Sequence, residues 1–122
     1  MNKNDLDLLE RFFDISLPDE YRSTMVNYPF EEDIGTINWS LWDDIDPLIK
    51  WNQEYRVGYG ACPKWPKNYF LLGSDHDACP YALDLDTGVV IKTNHGRLAD
   101  EPLEEYNSFS EFLNVLKKEY EE

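Results

Sequence analysis

Apolar positions recur at helical spacing at both ends of this chain and alternate in its middle. Leu6, Leu9, Phe12 and Phe13 fall on one face, with Asp7, Glu10 and Arg11 elsewhere. The spacing predicts a first helix capped by Asn4 or Asp5. Ile15-Ser16-Leu17-Pro18 breaks it, and Pro18 suits the first turn of a second helix with Asp19 and Glu20 at its positive end. Tyr21, Met25 and Tyr28 line that helix until Pro29 stops it. A turn over 30–35 and a short strand over Thr36 to Trp39 follow. Trp42, Ile45, Ile49 and Asn52, with Leu48, make a helical stripe that contains Pro47, so a third helix is expected to begin near Asp46-Pro47 after an acidic turn. Gly58 to Asn68 holds two glycines and two prolines and reads as a loop.

The period then changes. Tyr69 to Leu72 is a wholly apolar run ending at Gly73. Tyr81, Leu83 and Leu85 alternate with Ala82, Asp84 and Asp86, the pattern of a strand with one wet face. Asp86-Thr87-Gly88 predicts a hairpin turn into Val89-Val90-Ile91. Asn94-His95-Gly96 is a polar turn, and the acidic segment Leu98 to Glu105 leaves room for a short extended piece. Ser108 and Glu111 have capping-box spacing ahead of the stripe Phe109, Phe112, Leu113, Leu116 and Tyr120. Residues 1–122 are read as a single domain.

Composition narrows the function. The chain has 122 residues, 42% apolar and 15% aromatic, which favours a packed core over disorder. Lys and Arg total 11 against 25 Asp and Glu, a formal net charge of -14. Such a charge repels phosphate backbones and anionic lipid, so neither nucleic acid nor membrane is an expected partner. It draws in a basic protein. No apolar leader opens the chain and no run approaches membrane-spanning length, so a cytoplasmic location is expected. Cys62 and Cys79 are then expected as packed thiols rather than a disulfide.

Candidate chemistry is sparse. Asp75, Asp77, Asp84 and Asp86 invite a calcium reading, but Ala78-Cys79-Pro80 supplies neither side-chain oxygen nor mid-loop glycine. Turn chemistry accounts for these aspartates instead. Among Cys62, His76, Cys79 and His95, only His76-x-x-Cys79 has the spacing of a zinc pair. A cysteine–histidine nucleophile has no supporting motif. No cofactor or metal and no catalytic residue is therefore expected. What stands out is aromatics set among acids: Asp43, Asp44 and Asp46 beside Trp42, then Trp51, Trp65, Asp75 and Asp77. That mixture suits the core and rim of an interface with a basic protein. Asp43, Asp44, Asp46, Asp75 and Asp77 are the candidate charges, with Trp51 and Trp65 as apolar anchors. Trp65, between Lys64 and Pro66 in the loop, is expected to be exposed, whereas Trp39 and Trp42 are expected in the core.

The ordered motifs resemble the SUKH superfamily, which holds the fungal Smi/Knr regulators and many bacterial immunity proteins. Leu17-Pro18-Asp19-Glu20-Tyr21 resembles its Leu-Pro-x-x-Tyr opening, and Phe70 to Asp75 its apolar strand ending in Gly-x-Asp. Tyr81-Ala82-Leu83-Asp84 with Gly88-Val89-Val90 is similar to its central strand and turn, and Ser108 to Leu113 to its closing helix. Ala78-Cys79-Pro80 replaces a glycine common after the first aspartate, and Tyr28-Pro29-Phe30 replaces an Asn-Gly pair. The resemblance implies an α+β fold, a mostly antiparallel sheet flanked by N-terminal and C-terminal helices, used to bind protein. It implies a non-enzymatic immunity role, neutralising a cognate toxin domain, such as a nuclease, by direct contact. Two other readings compete: a regulatory or scaffold module of the Smi/Knr type, and a small hydrolase using paired carboxylates.

Overall fold

The computed structural model describes residues 1–30, 40–58, 60, 62–75 and 78–121, the side chains of Tyr120 and Glu121 aside. The strand expected over Thr36 to Trp39 lies outside the described residues, as do His76 and Asp77. The described elements are α1 (Lys3–Phe13), α2 (Asp19–Val26), α3 (Ile45–Val57), β1 (Tyr69–Ser74), β2 (Pro80–Asp84), β3 (Val90–Lys92), β4 (Glu104–Tyr106) and α4 (Phe109–Glu121). The strands form one antiparallel sheet in the order β1-β2-β3-β4. This is the expected α+β arrangement. No described helix is long and apolar enough to cross a membrane.

Local chemistry explains the helix boundaries. α1 starts earlier than expected: Asn2 accepts from the Asp5 N–H at 2.8 Å, and the Asp5 carboxylate accepts from the Asn2 N–H. α3 begins at Ile45 because Asp44 caps it, which places Pro47 in the first turn, where its missing N–H costs nothing. α4 is opened by Ser108, whose Oγ accepts from the Glu111 N–H at 3.1 Å. The returning bond from Glu111 reaches the Asn107 N–H, one residue before the cap itself.

The sheet is covered on both faces. On one, Phe70, Leu72, Tyr81, Leu83 and Val90 join Leu6, Leu9, Tyr21, Met25, Leu48, Phe109, Phe112 and Leu116 in the main core. On the other, Leu71 and Ala82 pack with Tyr55, Cys62 and Trp65. The expectation of one wet face on β2 is therefore wrong, since Ala82 is fully buried beneath a second, smaller core. The run Phe70-Leu71-Leu72 already had the continuous apolar character of a strand buried on both sides. Phe12 also departs from expectation: Leu6 and Leu9 are buried, but Phe12 is 50% exposed.

A polar side chain closes the β1 edge. Asn52, buried on α3, accepts from the Leu71 N–H at 2.7 Å and donates to the Leu71 carbonyl at 3.1 Å. Arg56 donates to the Tyr69 carbonyl at 2.7 Å, and the Trp42 N–H donates to the Leu72 carbonyl at 3.0 Å. These bonds occupy backbone groups that a foreign strand would otherwise use. They also fix where α3 and the turn before it sit against the sheet.

Candidate functional site

The acidic turn ahead of α3 is held on several sides. Tyr28 Oη donates to the Leu41 carbonyl at 2.6 Å. The bond from Trp42 ties the turn to β1. Asp43 accepts from the Met1 amine, and Asp44 from the Asp46 N–H at 3.1 Å. Asp43, Asp44 and Asp46 are nonetheless exposed. Burial first, and the Asp43 charge second, raise the pKa of the Tyr28 phenol. The result is three carboxylates displayed on a fixed support, so little ordering entropy stands between them and a partner's cations.

An aromatic row starts on α3 itself. The Trp51 ring lies 6.3 Å from Tyr55, and Tyr55 stacks on Trp65 at 4.9 Å. Trp42 packs against both cores and Trp51 against the smaller one, and both are half-buried. The Lys50 ammonium sits 5.1 Å from the centroid of the Trp51 ring.

Trp65 occupies the inner end of this row, and the expectation that it is exposed is wrong. It is 4% exposed, and its Nε1 donates to the Gly96 carbonyl at 2.7 Å. Its backbone N–H donates to the Tyr55 carbonyl at 2.8 Å. A loop of glycines and prolines thus folds Trp65 onto the sheet as a lid over Leu71 and Ala82.

The remaining acids divide. Asp75 faces inward: its Oδ1 accepts from the Cys79 N–H at 2.9 Å and its Oδ2 meets Lys92 Nζ at 2.8 Å. Lys92 also reaches Glu104 at 3.3 Å, and Tyr106 Oη donates to that same carboxylate. Burial works against the Lys92 charge, but its bond to Asp75, the neighbouring Tyr81 and the bond to Glu104 outweigh that and raise its pKa. Asp75 is therefore a structural partner of β3 rather than a free surface charge. Asp77 lies outside the described residues. Asp84 acts as turn chemistry predicts. Its Oδ1 accepts from the N–H groups of Asp86 and Thr87 and from the Asn68 amide. Burial raises its pKa, but these bonds prevail and hold the carboxyl below its ordinary value.

Cysteine and histidine meet in an arrangement that spacing did not suggest. Cys79 Sγ lies 3.9 Å from His95 Nδ1, at the long limit of a thiol contact, and Cys79 is buried. Cys62 donates instead to the Gly96 carbonyl at 3.0 Å, and burial is the main cause raising its pKa, the condition of an unreactive thiol. Neither cysteine is in a disulfide. Among the described residues, no group of three or more His, Cys, Asp or Glu side chains is placed to hold a metal ion.

Sequence reading missed the role of Asn52, although an asparagine within an apolar helical stripe was a visible signal. It also missed the Lys92–Asp75–Glu104 cluster, which joins β3 and β4 to the residue after β1 and leaves no local pattern. A comparison with protein families matches residues 1–115 to the one described as SMI1 / KNR4 family (SUKH-1). Among curated proteins, none matches this chain.

Proposed function

The chain belongs to the SMI1 / KNR4 family (SUKH-1), and from that premise we propose that it is an immunity-type protein that neutralises a basic toxin domain by direct binding. The observation that supports this most is the fixed display of Asp43, Asp44 and Asp46, next in the chain to the half-buried Trp42 and at the start of the helix that carries the half-buried Trp51. In this reading the carboxylates occupy or cover a basic groove in the toxin, as phosphates would. Trp51 takes the anchoring role, because Trp65 is buried. The net charge of -14 speeds the encounter.

The test begins with the product of the gene next to this one. A large secreted protein with a C-terminal toxin domain is the expected neighbour, and that domain is the binding probe. Asp43→Lys with Asp44→Lys should slow association roughly tenfold at low salt and flatten its salt dependence. Trp51→Ala should instead raise the dissociation rate. Association insensitive to salt, with neither variant weakening the complex, would remove the acidic turn as the contact.

A further inference from the structure

The two edges of the sheet differ. The β1 edge is closed by Asn52, Arg56 and the Trp42 N–H. No such cover bonds the outer edge of β4 among the described residues. The register shows which groups are free there. Asp84 N–H donates to the Val89 carbonyl and Thr93 N–H to the Pro80 carbonyl, so residues 89, 91 and 93 bond toward β2. Val90 and Lys92 then face β4, where the register sets them opposite their partners Tyr106 and Glu104 and the Leu103 N–H donates to the Lys92 carbonyl at 2.8 Å. Glu105, between those partners, turns its N–H and carbonyl outward. Leu103 beside it is 53% exposed, and Asp100, Glu101, Glu104 and Glu105 are all exposed.

We propose that the β4 edge is a strand-addition site for an extended, lysine- or arginine-bearing segment of a partner protein. The inference rests on the basic partner argued above, but not on which residues of α3 touch it. In strand addition, main-chain bonds supply affinity and alternate side chains supply choice. Here Glu105 offers the main-chain pair, Leu103 an apolar contact, and the surrounding carboxylates select positive charge. A second copy of this chain is the poorer occupant, because antiparallel pairing of two β4 edges sets acid against acid. The shortness and charge that blunt self-pairing leave the edge open to the opposite charge.

The experiment is an NMR titration of the full chain at low salt with a short peptide of alternating lysine and valine. A glutamate–valine peptide of equal length is the control. The lysine peptide is expected to shift the amides around 103–106 and slow hydrogen exchange at Glu105, and the control to do neither. Glu105→Pro removes the outward N–H and spares the pairing with β3, since an edge strand tolerates proline. It should weaken the peptide roughly tenfold or more, and Glu105→Lys should do likewise by reversing the charge. Far-UV circular dichroism checks both variants; if the proline variant unfolds, Glu105→Lys and the exchange data decide. Asp43→Lys with Asp44→Lys should leave the peptide at β4. Shifts confined to residues 43–46, or undiminished binding by the Glu105 variants, would overturn the proposal and leave the acidic turn of α3 standing. Self-association abolished by Glu105→Pro would overturn it too, by giving the edge to a second copy.

Discussion

Gly96 sits where the smaller core has no slack. Its φ is +86°, and a Cβ built there would lie 2.4 Å from Tyr55 Cε1 and 3.1 Å from Cζ. The ring cannot retreat freely, because it is stacked on Trp65 at 4.9 Å with Trp51 nearby at 6.3 Å. Nor can the backbone. The Gly96 N–H donates to Thr93 Oγ1 at 2.9 Å, and its carbonyl accepts from Trp65 Nε1 and Cys62 Sγ. Gly96→Ala therefore adds two costs: about 1–2 kcal/mol for a left-handed alanine and about 1–3 kcal/mol for overpacking. The sum, roughly 2–5 kcal/mol, is a large part of a typical domain stability of about 5–15 kcal/mol. At this chain length it corresponds to a fall in melting temperature on the order of 10–20 °C. Gly88→Ala is the control, since its φ is +83° with nothing within 4 Å of the added atom. Urea unfolding of both variants, followed by tryptophan fluorescence and circular dichroism, separates backbone strain from the ring contact. Equal losses within about 0.5 kcal/mol, the ordinary scatter of independent sites, would refute the argument that the aromatic row is rigid.

Three further outcomes are expected. Asn52→Leu leaves the buried Leu71 N–H and carbonyl without their partner, so urea unfolding should show a loss of about 2–4 kcal/mol; a loss below about 1 kcal/mol would mean that the β1 edge is sealed by other means. Tyr21 is fully buried and its hydroxyl has no hydrogen-bond partner among the described residues, so Tyr21→Phe should be neutral or stabilising by up to about 1 kcal/mol, and a clear loss in the same assay would reveal a partner. The Asp84 pKa is lowered on folding from an ordinary 3.8, so its contribution is present above pH 3.8 and fades as pH falls through the lower folded value. Asp84→Asn should thus lose less stability than the parent chain between pH 5 and pH 2 when urea midpoints are compared, and parallel losses would assign the acid sensitivity to other carboxylates.

The parts of the fold legible in the sequence were those with a local cause. Pro47 and the acids before it marked the start of α3, and the apolar stripe of α4 marked its buried face. The apolar run Tyr69 to Leu72 and the alternation from Tyr81 were visible as strands, and they fall in β1 and β2. The misses arose from contacts distant in sequence. Glycine and proline in the Trp65 loop describe backbone freedom, and they say nothing of what the side chain finds 31 residues away at Gly96. Phe12 shares a helical face with Leu9 by approximate period alone, and it is left 50% exposed where Leu9 is buried. The acids of the candidate site were all readable as letters. Asp75 is absorbed by Lys92, which depends on where β3 lies in the sheet, whereas Asp43, Asp44 and Asp46 are displayed on a turn held by Met1, Tyr28 and β1, and neither cause is local in sequence.

That division bears on what the surplus charge is for. Five of the 11 basic side chains are engaged at home among the described residues. Arg22 bridges Asp7 and Glu10, Lys67 meets Asp14, Lys92 holds Asp75 and Glu104, and Arg97 pairs with Asp100. Arg56 is committed to the carbonyls of Lys67 and Tyr69. Even if every basic side chain neutralised one acid, 25 against 11 would leave 14 carboxylates unmatched. Such a surplus opposes compaction through self-repulsion, so it is hard to explain as a stabilising feature. Two places where exposed acids gather, the turn before α3 and the segment Asp100 to Glu105, lie beside a half-buried tryptophan and a strand edge with no neighbouring strand among the described residues, respectively. A basic partner would relieve the repulsion at both, and at each it would find a contact that charge alone does not supply.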